Sequence, residues 1–420
     1  MDACPVTRNP TCLGCTGALA PPFVDLGSTP LANAFVRPER AHLPDPTFPL
    51  AVARCPTCHL VQLTDTVEPD ALFSEYVYFS SYSDLFLAHA RALAETLSER
   101  FGLGPDRRVV EIASNDGYLL QYFQARGIPV LGVEPARNIA AAAVARGIPT
   151  LNRFFGSPAV QEIRASVGAA DLIIGNNVLA HVPDVNDFLA AVAACLAEGG
   201  AAVFEFPYVA DLLERTAFDT IYHEHVFYYS LSALVALATR ARLEVFDVER
   251  QAIHGGSLRV FLRHRTGRAT ERAVAALLST EQDAGLTGPE PYERFGHHVA
   301  RLRHDIPALL RGLRAAGHRI AAYGAPAKGN TLLNACAIGR DLIDFTVDRS
   351  PHKQGLLTPG ARLPVREPEA LLREMPDYTV ILPWNIADEI VGQQRAYLKK
   401  GGAFIVPVPA PRILGDDDLR

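Results

Sequence analysis

The sequence predicts an α/β protein in three parts: a small metal-binding module, then two units in which short apolar strands alternate with amphipathic helices. Three observations carry this. Five of the seven cysteines fall within the first 58 residues. Apolar runs at residues 109–112, 130–133, 172–174 and 202–206 alternate with helical patterns. The alternation restarts after Arg319, with runs at 320–323, 343–347, 379–382 and 403–406. Such alternation is the pattern of parallel sheets covered by helices. The boundaries it suggests are 1–70, 71–265 and 266–420. A helical pattern at 82–101 leads into the first α/β unit, and another, over 270–313 and broken near Gly288, leads into the second.

A chain of 420 residues is long enough for two or three domains. The hydrophobic fraction of 49% and charged fraction of 20% are those of a globular protein. A net charge of -6 argues against a nucleic-acid partner or a polybasic membrane surface, both of which need a cationic face. No apolar run approaches the ~18 residues of a membrane span, and the first residues lack the apolar core of a secretory signal. The expected location is the cytoplasm.

The cysteines come first. Cys12-Leu-Gly-Cys15 and Cys55-Pro-Thr-Cys58 are two C-x2-C pairs. Each such turn places two sulfurs on one edge of a metal, and two turns complete the tetrahedron of thiolates that zinc prefers. An odd, clustered count without a signal peptide is a poor disulfide framework. Cys4 and His59 are spare candidates, and unpaired cytosolic thiols are the alternative. Four cysteine ligands leave no open position, so the site reads as structural.

The first α/β unit opens with Val109-Val-Glu-Ile-Ala-Ser-Asn-Asp-Gly-Tyr118, a strand, a turn of small residues and a helix start. Such a turn lets backbone approach a ligand. Glu111 stands near the strand's end, where it can reach a ligand's amino acid end. The next strand ends at Glu134, whose carboxylate can accept hydrogen bonds from both hydroxyls of a ribose. This pair is similar to class I methyltransferases, which bind S-adenosylmethionine in this way. Ala113 and Asn115 stand where glycines are usual, and Gly117 is retained. NAD is disfavoured because the turn lacks G-x-G-x-x-G. A further strand runs into Asn176, Asn177 and His181, which therefore face the ligand crevice.

Tyr222-His223-Glu224-His225 is the most unusual tetrapeptide in the chain. An extended conformation would put Tyr222 and Glu224 on one face and the two histidines on the other; a helix would separate them differently. Histidine suits the removal of a proton from carbon, because its ordinary pKa lies near working pH. An enolate formed in that step needs a donor such as Tyr or His. Metal binding is an alternative, although H-E-H is not the helical H-E-x-x-H spacing.

Together these motifs resemble the sugar C-methyltransferases of antibiotic deoxysugar pathways, which act on C-3 of thymidine-diphosphate-linked 4-keto-deoxysugars. The resemblance covers nearly the whole chain. It also rests on His254-Gly-Gly-Ser257, Gly324-Ala-Pro-Ala-Lys-Gly-Asn330, Val347-Asp-Arg-Ser-Pro-His-Lys353 and Leu382-Pro-Trp-Asn385. It implies a zinc module, a central class I S-adenosylmethionine-dependent methyltransferase domain with a Rossmann-like fold, and a C-terminal Rossmann-like domain. It implies that His225 is the base and that Tyr222, Glu224 and His181 are its neighbours. The cofactor residues expected are Tyr76, Glu111, Ser114, Asn115, Asp116 and Gly117, with Glu134, Pro135, Asn176 and Asn177. In the second α/β unit, the small-residue turn and Lys328 suit a diphosphate. Tyr323, Lys328, Asn330, Asp348 and His352 are the expected substrate contacts. An oxygen or nitrogen methyltransferase is the alternative; it would need a base but no stabilised enolate.

Overall fold

The computed structural model describes residues 6–73, 81, 84–251 and 255–419. The central unit is a seven-stranded sheet whose strands, taken in chain order, lie 6-7-5-4-1-2-3 among the described residues. Val109–Ile112 is strand 1, Val130–Val133 strand 2 and Thr150–Leu151 strand 3. The chain then crosses to Ala170–Asn176 on the other side of strand 1. Ligands bind where strand order reverses in this way, outside the carboxyl ends of the strands. The sheet is closed by Leu196–Pro207 and by the hairpin of Leu243–Gln251 with Ser257–His264, the last strand running antiparallel to its neighbours. This is the class I methyltransferase topology that the sequence predicts. Val109, Val110, Leu172, Ile173 and Ile174 are fully buried, which accounts for their continuous apolar runs.

The C-terminal sheet has the strand order 3-2-1-4-5-6 among the described residues, with Ile320–Tyr323 as strand 1. Its last strand, Arg412–Leu414, is antiparallel to Ala403–Val406. The strand expected at 343–347 is confined to Thr346–Val347. The helical segment before this sheet is two helices, Arg272–Asp283 and Glu290–Ala315. The first docks on the central unit. Its Glu281 is fully buried and accepts hydrogen bonds from Leu231 N at 2.6 Å, Ser232 N at 2.8 Å and the Tyr208 hydroxyl at 2.9 Å. A carboxylate there caps the helix Leu231–Arg240, satisfying N–H groups that the helix cannot pair itself.

The N-terminal module is wedged between the two larger units. Its antiparallel sheet of Val24–Thr29, Phe48–Arg54 and Val61–Leu63 is completed by Phe227–Tyr228, a strand from the central unit. One face of this sheet packs Val24, Leu26, Leu50 and Val52 into the core of the C-terminal unit. There Gly296 is needed for close approach, since a Cβ would lie 2.2 Å from the Phe23 carbonyl oxygen. The cysteine end packs instead on the helix Leu231–Arg240, with Leu60 and Leu237 sharing one apolar cluster.

Candidate active site

The four cysteines converge as their spacing predicts. Cys12 Sγ is 3.5 Å from Cys58 Sγ, and Cys15 Sγ is 3.4 Å from Cys55 Sγ. All four sulfurs lie within 4.8 Å of one another. A tetrahedral zinc with Zn–S near ~2.3 Å sets sulfur separations of about 3.8 Å, so the cluster fits the ion. The Cys58 thiol beside Cys12 holds the Cys12 thiol below its ordinary range. Three of the four cysteines are buried, as suits a structural site.

A cavity of about 2010 Å³ lies where the three units meet. On its central-unit wall are Asn115, Glu134, Pro135, Asn176 and Asn177. The turn after strand 1 uses the left-handed region without glycine: Ala113 has φ 53° and Asn115 φ 48°, followed by Gly117 at φ 80°. Left-handed geometry costs a residue with a Cβ about 1–2 kcal/mol. Here it turns Asn115 N toward Glu134 Oε2, 3.0 Å away, while Ala136 N donates to Glu134 Oε1 at 2.9 Å. Each carboxylate oxygen thus takes one backbone donor and keeps lone pairs directed to the cavity. Burial raises the Glu134 pKa, and those two N–H groups pull it back. The geometry fits the ribose of S-adenosylmethionine.

The neighbouring expectations sort differently. Glu111 is buried under Tyr118, and burial holds its carboxyl well above the usual range. It is Tyr118, hydrogen-bonded to Asn176 Nδ2 at 3.2 Å, that lines the cavity. Ser114 packs against Gly132, where a Cβ would lie 2.4 Å from its hydroxyl. Asp116 is fully buried and accepts from Arg146 Nη1 at 2.8 Å. Glu111, Ser114, Asp116 and Gly117 therefore shape the turn from behind and do not line the cavity. Tyr76 and His254 lie outside the described residues.

Tyr222–His225 is a turn, closed by His225 N donating to the Tyr222 carbonyl at 2.9 Å. It is neither strand nor helix, so Tyr222 and His225 come to the same side. The Tyr222 hydroxyl is 2.8 Å from His225 Nε2, and His225 Nδ1 is 2.9 Å from the Thr220 carbonyl oxygen. A carbonyl only accepts, so the proton sits on Nδ1 and Nε2 is the basic nitrogen. The His181 ring packs edge-on against His225 at 4.9 Å. Burial pushes His181 down to about 4, leaving it neutral. Tyr222, His225, Thr220 and His181 all line the cavity. Glu224 and His223 turn away into the N-terminal module. Asn33 Nδ2 donates to Glu224 Oε1 at 2.6 Å, and His223 Nε2 meets the Phe48 carbonyl at 3.2 Å. The turn is anchored on its other side by Val226 N donating to the Ala180 carbonyl at 2.7 Å.

The C-terminal unit supplies the far wall. Lys328, Asp348 and His352 line it, joined by Arg349 and Lys353. Two expectations are corrected. Asn330 is fully buried and donates to the Ala32 carbonyl at 2.7 Å, tying the N-terminal module down. Tyr323 is 5% exposed and does not line the cavity. The small-residue turn is also less open than its composition implies, because Ala325 N donates to Asp348 Oδ2 at 2.7 Å. Ser350 N donates to Asp348 Oδ1 at 2.8 Å, so Asp348 repeats in this unit what Glu134 does in the other. Lys328 donates to Asn385 Oδ1 at 2.8 Å and lies 3.7 Å from Asp219 Oδ2. Burial lowers Lys328 and raises Asp219, and each draws the other back. Asn33, Thr220 and Asp219 escaped the sequence reading because nothing local marks them, and Asn385 entered it only as the end of a motif, without a role.

Comparison with known proteins agrees with this layout. Residues 12–73 match a zinc binding domain family, 86–248 a methyltransferase domain family and 252–409 the C-methyltransferase C-terminal domain family. The C-methyltransferase NovU of Streptomyces niveus is 40% identical over 392 residues, covering 93% of each chain. Among solved structures, an S-adenosylmethionine-dependent methyltransferase of Clostridium acetobutylicum aligns over 42% of this chain and 91% of its own, with 9% identity and a TM-score of 0.33. Magnesium protoporphyrin IX methyltransferase of Synechocystis, with bound S-adenosylmethionine, aligns over 45% and 85%, with 12% identity and a TM-score of 0.32.

Proposed function

Because this chain belongs to the sugar C-methyltransferase family, we propose that it methylates C-3 of a thymidine-diphosphate-linked 4-keto-deoxysugar with His225 as the base. It is an S-adenosylmethionine-dependent C-methyltransferase with a structural zinc site. The observation that carries the finer reading is the chain Tyr222 hydroxyl, His225, Thr220 carbonyl, open to the cavity.

S-adenosylmethionine, when bound, supplies an electrophilic methyl group. Glu134, aimed by Asn115 N and Ala136 N, holds its ribose, with Asn176 and Asn177 beside it. His225 takes the substrate's C-3 proton at Nε2, while the Thr220 carbonyl holds the Nδ1 proton and the ring's orientation. Tyr222 releases Nε2 and turns its hydroxyl to the oxygen of the enolate. His181 stays neutral against the His225 ring, so that an imidazolium at His225 meets no second cation. Glu224, held by Asn33, keeps the turn in place rather than meeting substrate. Lys328 and His352 face the diphosphate from the C-terminal wall. We assign residues 1–70, 71–265 and 266–420 to the three units, with the helix Arg272–Asp283 docked back on the second. No helix among the described residues is long and apolar enough to cross a membrane. The proposal places the enzyme in the cytoplasm, where its thiolates stay reduced.

The test is product analysis. Protein incubated with methyl-labelled S-adenosylmethionine and a thymidine-diphosphate-linked 4-keto-deoxysugar should place the label on C-3, read by NMR. Label on an oxygen or nitrogen would overturn the assignment.

A further inference from the structure

The sugar-side unit also reaches the base from behind. Asp219 immediately precedes Thr220 and is fully buried in the short turn Phe218–Thr220. Its Oδ2 accepts from Trp384 Nε1 at 2.7 Å. Lys328 Nζ lies 3.7 Å from the same oxygen and 4.2 Å from the centre of the Trp384 ring. Trp384 and Lys328 both belong to the C-terminal unit, while Asp219 and Thr220 belong to the central one. The Thr220 carbonyl holds the Nδ1 proton of His225. A rigid chain of contacts therefore runs from Trp384 through Asp219 and the Thr220 carbonyl to the imidazole. An indole donor buried against a carboxylate is a specific pairing, since each group left alone would be costly in the interior.

We infer that Asp219 and Trp384 are positioning residues for His225. They fix the Thr220 carbonyl, and with it the Nδ1–H tautomer that makes Nε2 the basic nitrogen. The C-terminal unit thus sets the base as well as holding the substrate. Where a base is oriented by a carbonyl instead of a carboxylate, the carbonyl's own placement decides which nitrogen is basic. The inference rests on the reading of His225 as the base.

The test uses Trp384→Phe in the full-length protein. This change keeps an aromatic ring under Lys328 and removes the indole donor to Asp219. The kcat for methyl transfer should fall by up to about 100-fold, the scale of a small misplacement of a catalytic group. KM for the nucleotide sugar and affinity for S-adenosylmethionine should stay within about threefold of the native values. With ¹⁵N-labelled histidine, His225 should read as the Nδ1–H tautomer in the native protein and as a mixture in the variant; its signal is identified by its loss in His225→Asn. Asp219→Ala, which removes the acceptor for the indole from the other side, should lower kcat to a similar extent with the same mixture of tautomers, and serves if Trp384→Phe does not fold. An unchanged kcat and tautomer in Trp384→Phe would overturn the inference. So would a rise in KM matching the fall in kcat, which would put Trp384 against the substrate. If His225→Asn retains methyl transfer, the assignment of the base fails instead, and the tautomer measurement still reports on the contact chain.

Discussion

The Tyr222 hydroxyl stands 2.8 Å from His225 Nε2, across a turn that sends the two intervening side chains into the N-terminal module. The pair is a donor and a base waiting on one cavity wall. His225→Asn should lower methyl transfer by roughly 10²–10⁴-fold, the usual worth of a general base. Binding of both ligands should survive. Exchange of the substrate's C-3 proton with deuterated water, followed by NMR with S-adenosylhomocysteine present, should slow in parallel. Fast exchange in a variant that no longer methylates would make His225 a positioning group, and His181 the next candidate.

Glu134 has two tasks, and its removal tests both. Glu134→Ala should weaken S-adenosylmethionine by roughly 1.5–3 kcal/mol for each charge-assisted hydrogen bond lost. Because Glu134 also takes the N–H of Asn115 and Ala136, the left-handed turn should loosen as well. Glu134→Gln keeps one acceptor and should fall between the two. Calorimetric titration that finds equal affinity in all three proteins would make Glu134 a bystander.

The zinc site reaches the turn through backbone. Cys58 leads directly into Val61–Leu63, which pairs with Phe227–Tyr228 just beyond His225. Metal analysis should find about one zinc per chain. Cys55→Ser should lower the yield of folded protein, and the folded fraction should keep its S-adenosylmethionine affinity, because Glu134 is held by Asn115 N and Ala136 N within the central unit. Well-folded protein without metal would refute the site.

Much of this architecture was legible because it is written locally. The second strand of each α/β unit runs straight into an acid, and Glu134 and Asp348 sit where that pattern puts them. The cysteines needed only their spacing. The turn at 222–225 was not legible, since its hydrogen bond and its flanking partners Asn33 and Ala180 are what decide between turn and strand. Asn33 lies 191 residues from Glu224, and no periodicity reports such a pairing. Asn330 misled for the opposite reason: a polar residue in a ligand-like turn was taken up by the Ala32 carbonyl, 298 residues away.

His181 and His223 make the fold acid-sensitive. Burial lowers the pKa of both, His181 to about 4. A histidine lowered in the folded state binds its proton more readily when unfolded, so stability falls as pH drops from about 6.5 toward 4. Melting temperature measured across that window should decline. In His181→Gln the decline should be shallower, because one of the two linked protons is gone. An equally steep decline in the variant would assign the acid sensitivity elsewhere.

Lys328 lies between the cavity and Asp219, so its removal should be felt in two ways. As a cation on the C-terminal wall, it holds the diphosphate, and Lys328→Met should raise KM for the nucleotide sugar while leaving S-adenosylmethionine affinity unchanged. A loss of S-adenosylmethionine affinity alone would exchange the roles of the two α/β units. As the partner of Asp219, it balances a fully buried carboxylate. Removing one member of a buried pair costs roughly 3–5 kcal/mol, and the cost should be lower here because Lys328 keeps some contact with solvent. Burial already raises Asp219, and without Lys328 it rises further. A carboxyl raised in the folded state gives stability that is present at low pH and lost as pH climbs through its folded value. The variant should therefore melt closest to the native protein near pH 5 and furthest below it near pH 8. Adding Asp219→Asn should remove that pH dependence, since no charge is then left to bury. A deficit that stays constant from pH 5 to pH 8 would mean that Asp219 is not charged in the native fold, and that Lys328 is held by Asn385 and the Trp384 ring alone.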